Sequence, residues 1–149
     1  MNMARLALAA VAATLVDGIY GFAVYGNALS GRFAAFPGVF RSAESGAAAL
    51  PIMFCGILVG MFAVTCIYAK GYEGGSGLQE GLRFGLLMGI FNAGYVIGVD
   101  YGILNIGRQL ALLMAFAGLG EWLVVGSTIG LIYRSVPGVK ARSATAAKV

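Results

Sequence analysis

Four apolar stretches in this sequence are each long enough to cross the hydrocarbon core of a bilayer, which takes about 20 helical residues. They run approximately over Leu6–Leu29, Ala49–Ala69, Gly77–Asp100 and Arg108–Tyr133. Only 11% of the chain is charged, whereas a soluble globular chain has about 25% charged residues. The pattern therefore predicts an all-α integral membrane bundle of four transmembrane helices over residues 1–134.

The two ends of the chain need separate interpretation. Arg5 precedes a run of small and apolar residues that resembles a signal peptide. The apolar pattern continues as far as Tyr25, so we predict a retained first helix. Residues 135–149 combine Lys140, Arg142 and Lys148 with small residues, which predicts a short, basic, disordered cytoplasmic tail.

The basic residues are divided unequally between the two ends of the predicted bundle. Three of them fall beside the first and third connections: Arg32, Arg41 and Arg108. The other seven fall on the side shared by both termini and the second connection: Arg5, Lys70, Arg83, Arg134, Lys140, Arg142 and Lys148. Because cytoplasmic loops retain the excess of Lys and Arg, we predict that both termini are cytoplasmic.

The first connection carries Phe33, Phe36 and Phe40 between Arg32 and Arg41. Aromatic rings flanked by cations suit a segment in the lipid headgroup layer. A loop packed on the protein is the other interpretation.

The second connection is rich in glycine and precedes the third predicted helix. Ser76, followed three residues later by Gln79, predicts a capping box at the start of that helix. The loop resembles a phosphate-binding loop but lacks the GxxxxGK[ST] pattern, and Glu73 and Glu80 stand where an anion would bind. No nucleotide site is predicted.

Glycines recur at four-residue spacing within the predicted helices, a pattern that lets helix backbones approach closely in lipid. The predicted helix-packing positions are Gly56, Gly60, Gly81, Gly85, Gly89, Gly94, Gly98, Gly126 and Gly130. These faces serve packing within the bundle, or they join subunits or dock the chain on a larger complex. The spacing alone does not choose between these roles.

Three polar residues are predicted to lie at the same depth in three different helices. Asp17 follows Arg5 by twelve residues, and Glu121 precedes Arg134 by thirteen, which places both about 18–20 Å from the same boundary. Asn92 reaches nearly this depth. Because such groups are costly in hydrocarbon, they form a candidate proton or cation site. The alternative is a pair of protonated carboxyls that only hold the helices together.

Other chemistry finds little support in the sequence. There is no histidine, which removes the commonest general base and metal ligand, so we predict no enzyme, no metal and no cofactor. Cys55 and Cys66 lie about 16 Å apart on one helix, too far for a disulfide, and are interpreted as packing residues. The basic residues form no single patch, so membrane lipid and not nucleic acid is the expected partner.

The segment from Tyr68 to Phe91, together with GEWLVVGSTIGLIYR near the end, resembles small four-helix bacterial inner-membrane proteins of uncharacterised function. In that family a helix ending in Ile-Tyr precedes a glycine-rich loop and then GL-[KR]-FG-x-x-x-G, which here runs from Gly81 to Gly89. The resemblance implies a multi-pass protein of the bacterial cytoplasmic membrane, and it implies no catalytic activity.

Two functions follow as hypotheses. The first is a structural or accessory membrane protein, either a homo-oligomer or a subunit docked through its glycine-rich faces. The second is a small proton- or cation-coupled carrier or channel that uses Asp17, Asn92 and Glu121.

Overall fold

The computed structural model describes residues 2–134; the predicted basic tail over 135–149 lies outside the described residues. Four long helices are joined by short connections. They are α1 (Met3–Gly21, continuing as a π-helical segment over Phe22–Ala28), α3 (Ala43–Gly71), α4 (Gly77–Tyr95, continuing through a π-helical segment at Val96–Asp100 and a last turn at Tyr101–Ile103) and α5 (Arg108–Tyr133). A single short turn, α2, covers Ser30–Phe33.

These elements confirm the all-helical fold class, and α1, α3, α4 and α5 are each long and apolar enough to cross a membrane. The predicted start of α3 is wrong, because the helix begins at Ala43 and runs through Pro51. Ser42 caps it by accepting a hydrogen bond from the backbone N–H of Ser45, 3.3 Å away. The first turns are rich in small residues, so hydropathy does not reveal them.

Helix α5 lies between α1 and α4, and its contact with α4 is the most extensive in the chain. Helix α3 packs mainly on α1, and few of its residues are buried. The main core joins α1, α3 and α5 through Leu6, Ala9, Ala13, Met61, Tyr68, Val125, Ile129 and Tyr133. Helix α5 is therefore the centre of the fold, because it contacts α4 most extensively and also contributes to the core shared with α1 and α3.

The first and last described turns lie at the same end of the bundle, since the Arg5 Nη1 donates a hydrogen bond to the backbone oxygen of Arg134 over 2.6 Å. We call this end the termini side. At the opposite end, the α2 side, Arg32 Nη1 donates to Gln109 Oε1 over 3.3 Å.

The segment around α2 is packed on the protein. The rings of Phe33 and Phe40 lie 4.7 Å apart, and both contact the buried cluster of Ile106, Leu110 and Ala111. Of the two interpretations of this connection, the packed loop matches these contacts.

The turn between α3 and α4 is stabilised by Glu80. The predicted capping box is wrong, because the side chain of Ser76 makes no capping hydrogen bond. Instead the Glu80 carboxylate reaches back into the loop and accepts hydrogen bonds from the backbone N–H groups of Glu73, at 3.2 Å, and of Gly75. Between these two residues Gly74 adopts a φ of 93°, which favours glycine.

Replacing Glu80 by alanine is expected to lower the free energy of unfolding by about 1–2 kcal/mol, because two loop N–H groups lose a charged acceptor. Ser76→Ala is the matched control and should cost less than about 0.5 kcal/mol, because its side chain makes no capping bond here. Unfolding by SDS titration in mixed micelles measures both values. Equal costs for the two variants would show that the loop is not held by Glu80.

Candidate functional site

Asp17 and Glu121 meet where α1 passes α5, each near the middle of its helix. Both are partly buried, and their carboxyl groups lie close enough to interact with each other. Ionised carboxylates only accept hydrogen bonds, so these two groups can share a hydrogen bond only when one of them is protonated. The structure thus brings together two of the three predicted site residues.

Two tyrosines of α1 complete the contact with α5. The hydroxyl of Tyr25 donates a hydrogen bond to Glu121 Oε2 over 3.1 Å. The hydroxyl of Tyr20 donates to the backbone oxygen of Ala117 over 2.9 Å. Glu121 therefore has Tyr25 as a hydrogen-bond partner and Asp17 as a neighbouring carboxyl, both from α1 and its continuation.

Sequence reasoning missed Tyr25 as a site residue, and its position has a structural cause. Tyr25 lies in the π-helical segment Phe22–Ala28, whose wider turn rotates it toward the face that carries Asp17. Such segments are frequent at functional sites. Hydrophobic periodicity contains no signal for this change of helical twist.

Asn92 of α4 lies at Gly118, near Tyr25, and makes no hydrogen bond to either carboxyl. Its amide packs against Gly118, where an added Cβ would lie 3.3 Å from Asn92 Cγ, closer still to Nδ2, and 3.7 Å from the hydroxyl of Tyr25. No hydrogen bond of the Asn92 side chain is found among residues 2–134. Gly118 thus makes room for a polar group one turn from Glu121.

A cavity of about 710 Å³ lies on the α2 side, between the end of α1, the segment after α2 and the start of α3. Its lining includes Tyr25, Ser30, Phe33, Phe40, Arg41 and Ser42. On the termini side the path from the carboxyl pair is filled by side chains that are at most 1% exposed: Leu6, Ala9, Ala10, Ala13, Val125 and Ile129. The cavity thus borders Tyr25, the hydrogen-bond partner of Glu121, whereas the core on the termini side is closely packed.

Five of the nine predicted packing glycines lie where α4 meets α5. Gly81, Gly85 and Gly89 face α5, and an added Cβ on Gly81 would lie 3.1 Å from the Cα of Gly130. Gly126 and Gly130 face α4 in return, with Gly85 and Gly81 as their neighbours. These glycines let the two backbones touch.

The remaining four predicted positions, Gly56, Gly60, Gly94 and Gly98, have open space around them. Within the described part of the chain, and apart from the neighbouring residues and backbone of the same helix, no atom comes within 4 Å of a Cβ built on any of them. They form no close helix contact inside this chain.

Among residues 2–134, no group of three or more His, Cys, Asp or Glu side chains is arranged to hold a metal ion. Comparison of the chain with protein-family models, curated proteins and solved structures finds no match. Function is therefore inferred from the chemistry of the site alone.

Proposed function

We propose that this chain is a multi-pass protein of the bacterial cytoplasmic membrane, with the termini side in the cytoplasm, and that it carries protons or exchanges them for a cation through Asp17 and Glu121. The observation that carries the proposal is the close approach of these two carboxyl groups, with the hydroxyl of Tyr25 donating a hydrogen bond to Glu121 over 3.1 Å. A pair that holds one proton between two acids can release and rebind it.

The surroundings of the pair support a transport role over a purely structural one. Acids within a membrane span cost from a few kcal/mol upward and commonly mark proton or ion pathways. Two acids are more than helix association requires, since a neutral amide would make the same contact at lower cost. The α2-side cavity borders Tyr25, and the closed core on the termini side suits a carrier open to one side at a time.

The glycines that pack inside the chain also favour the carrier hypothesis over the accessory one. The accessory hypothesis drew on glycine-rich faces as docking surfaces. Gly81, Gly85, Gly89, Gly126 and Gly130 are occupied by the contact between α4 and α5, so these five require no partner chain.

The direct test is ion movement in proteoliposomes that contain a pH-sensitive dye. Wild-type protein should change the internal pH under an imposed Na⁺, K⁺ or H⁺ gradient several-fold faster than protein-free liposomes. The double variant Asp17→Asn, Glu121→Gln keeps the shape of the pair and serves as the control. Equal rates for wild type, the double variant and empty liposomes would rule out transport of these ions.

A second candidate function, an accessory subunit or homo-oligomer, is favoured by the unoccupied glycines. Gly94 and Gly98 are exposed on α4, at the spacing that allows another helix to approach closely. Native mass spectrometry in mild detergent distinguishes the candidates, because an accessory subunit would be recovered with other copies or with foreign subunits.

A further inference from the structure

A second cavity, of about 280 Å³, lies on the termini side between the end of α3 and the start of α4. Its polar lining is Tyr68, Glu73, Glu80 and Arg83, and its apolar lining includes Ile67 and Leu87. It lies at the opposite side of the bundle from the cavity that borders Tyr25, and the proposed transport does not use it.

The hydroxyl of Tyr68 is a buried group without a hydrogen-bond partner in residues 2–134. Tyr68 is only 3% exposed, and its ring is held by edge contacts with Phe84, at 5.3 Å, and Tyr133, at 6.1 Å. Buried polar groups in native proteins are nearly always satisfied. Because Tyr68 also lines the cavity, a ligand bound there is a source from which its hydroxyl could gain an acceptor.

The charged side chains around the cavity differ in whether they already have hydrogen-bond or ion-pair partners. The Glu80 carboxylate already accepts two loop N–H groups. The side chains of Arg83 and Glu73, by contrast, have no hydrogen-bond or ion-pair partner in the described part of the chain. The lining of the cavity therefore includes one unengaged cation and one unengaged carboxylate, together with Tyr68.

This set of groups matches a phosphate linked to a primary ammonium. A guanidinium and a hydroxyl donate to phosphate oxygens, and a carboxylate accepts from an ammonium. A purely anionic headgroup would be repelled by Glu73 and Glu80. Ile67 and Leu87 are 58% and 67% exposed, which extends the cavity into apolar surface suited to acyl chains.

We propose that this cavity binds an aminophospholipid, with Arg83 and Tyr68 on the phosphodiester and Glu73 on the ammonium. Native mass spectrometry of the full chain in mild detergent tests the proposal, with phosphatidylethanolamine, phosphatidylglycerol and phosphatidylcholine added separately. Phosphatidylethanolamine should bind at least about tenfold more tightly than the other two lipids.

Three single variants measure how much each polar side chain contributes to the affinity for phosphatidylethanolamine. Arg83→Gln and Glu73→Gln should each weaken phosphatidylethanolamine binding by about tenfold, and Tyr68→Phe by less, because it loses one neutral donor but keeps the ring. Lys70→Gln is the matched control, since it removes a charge from the same side of the bundle without lining the cavity. Glu73 lies in the loop, so its variant is informative even where a helix variant folds poorly.

Several results would overturn the proposal. Equal binding of the three lipids, or tighter binding of phosphatidylglycerol, would remove the role of Glu73. An equal loss from Lys70→Gln would indicate general surface charge. Phosphoethanolamine without acyl chains should bind much more weakly, and equally tight binding would identify a soluble ligand in place of lipid.

Discussion

Gly85→Leu is expected to prevent α4 and α5 from packing and to destabilise the protein by about 3 kcal/mol or more, above the usual cost of overpacking. A Cβ at this position would lie 3.1 Å from the Cα of Leu123 and closer still to the backbone oxygen of Trp122. Backbone atoms cannot move aside as a flexible side chain can. The contact between α4 and α5 is the largest in the chain, so its loss should reach the whole fold.

Gly98→Leu is the control for this prediction. It introduces the same side chain on the same helix, at a position where, apart from the neighbouring residues and backbone of that helix, no described atom lies within 4 Å of the added Cβ. The yield of monodisperse protein and the unfolding midpoint in SDS compare the two variants. Normal yield and midpoint for Gly85→Leu would show that the helices do not meet at backbone distance.

The different environments of these two glycines could have been predicted from the numbering. Gly81, Gly85 and Gly89 repeat every four residues, but Gly94 follows Gly89 by five. At 100° per residue, five residues rotate the second series by about 140° from the first. Gly94 and Gly98 therefore lie on another face of α4, although both series have the same internal spacing.

The depth of the two carboxyl residues along their helices could be predicted from the sequence, whereas the local helix geometry that positions Tyr25 could not. Counting residues from the boundaries placed Asp17 and Glu121 at one level, because the rise of an α-helix is constant. The contribution of Tyr25 depends on π-helical turns, which the hydrophobic pattern does not encode.

The loop before α4 shows a second limit of sequence reasoning. Ser76 and Gln79 have capping-box spacing, and Glu80 displaces that motif because its charged carboxylate reaches two N–H groups. The conformation of the loop decides which side chain, Ser76 or Glu80, accepts from the backbone N–H groups. Here the turn at Gly74 sets that conformation.

Glu121→Gln alone is expected to lower the rate of proton movement in proteoliposomes to that of protein-free liposomes, because a positioned proton-transfer group contributes about 100-fold or more to such a step. Glutamine can accept the hydrogen bond from Tyr25 and donate one to Asp17, so the contact between α1 and α5 is retained. The shared exchangeable proton is lost. Asp17→Asn should have an effect of similar size for the same reason, and neither variant should change the free energy of unfolding by more than about 1 kcal/mol.

Glu44→Gln is the matched control for these variants. It removes an exposed carboxylate from the first turn of α3, away from the pair, so it should leave the rate unchanged. Initial rates of internal pH change, measured at equal protein density and compared with unfolding midpoints, separate transport from stability. If wild type moves protons and both single variants keep its rate, the path avoids the pair. If wild type moves none and both variants are equally stable, Asp17 and Glu121 only hold α1 against α5.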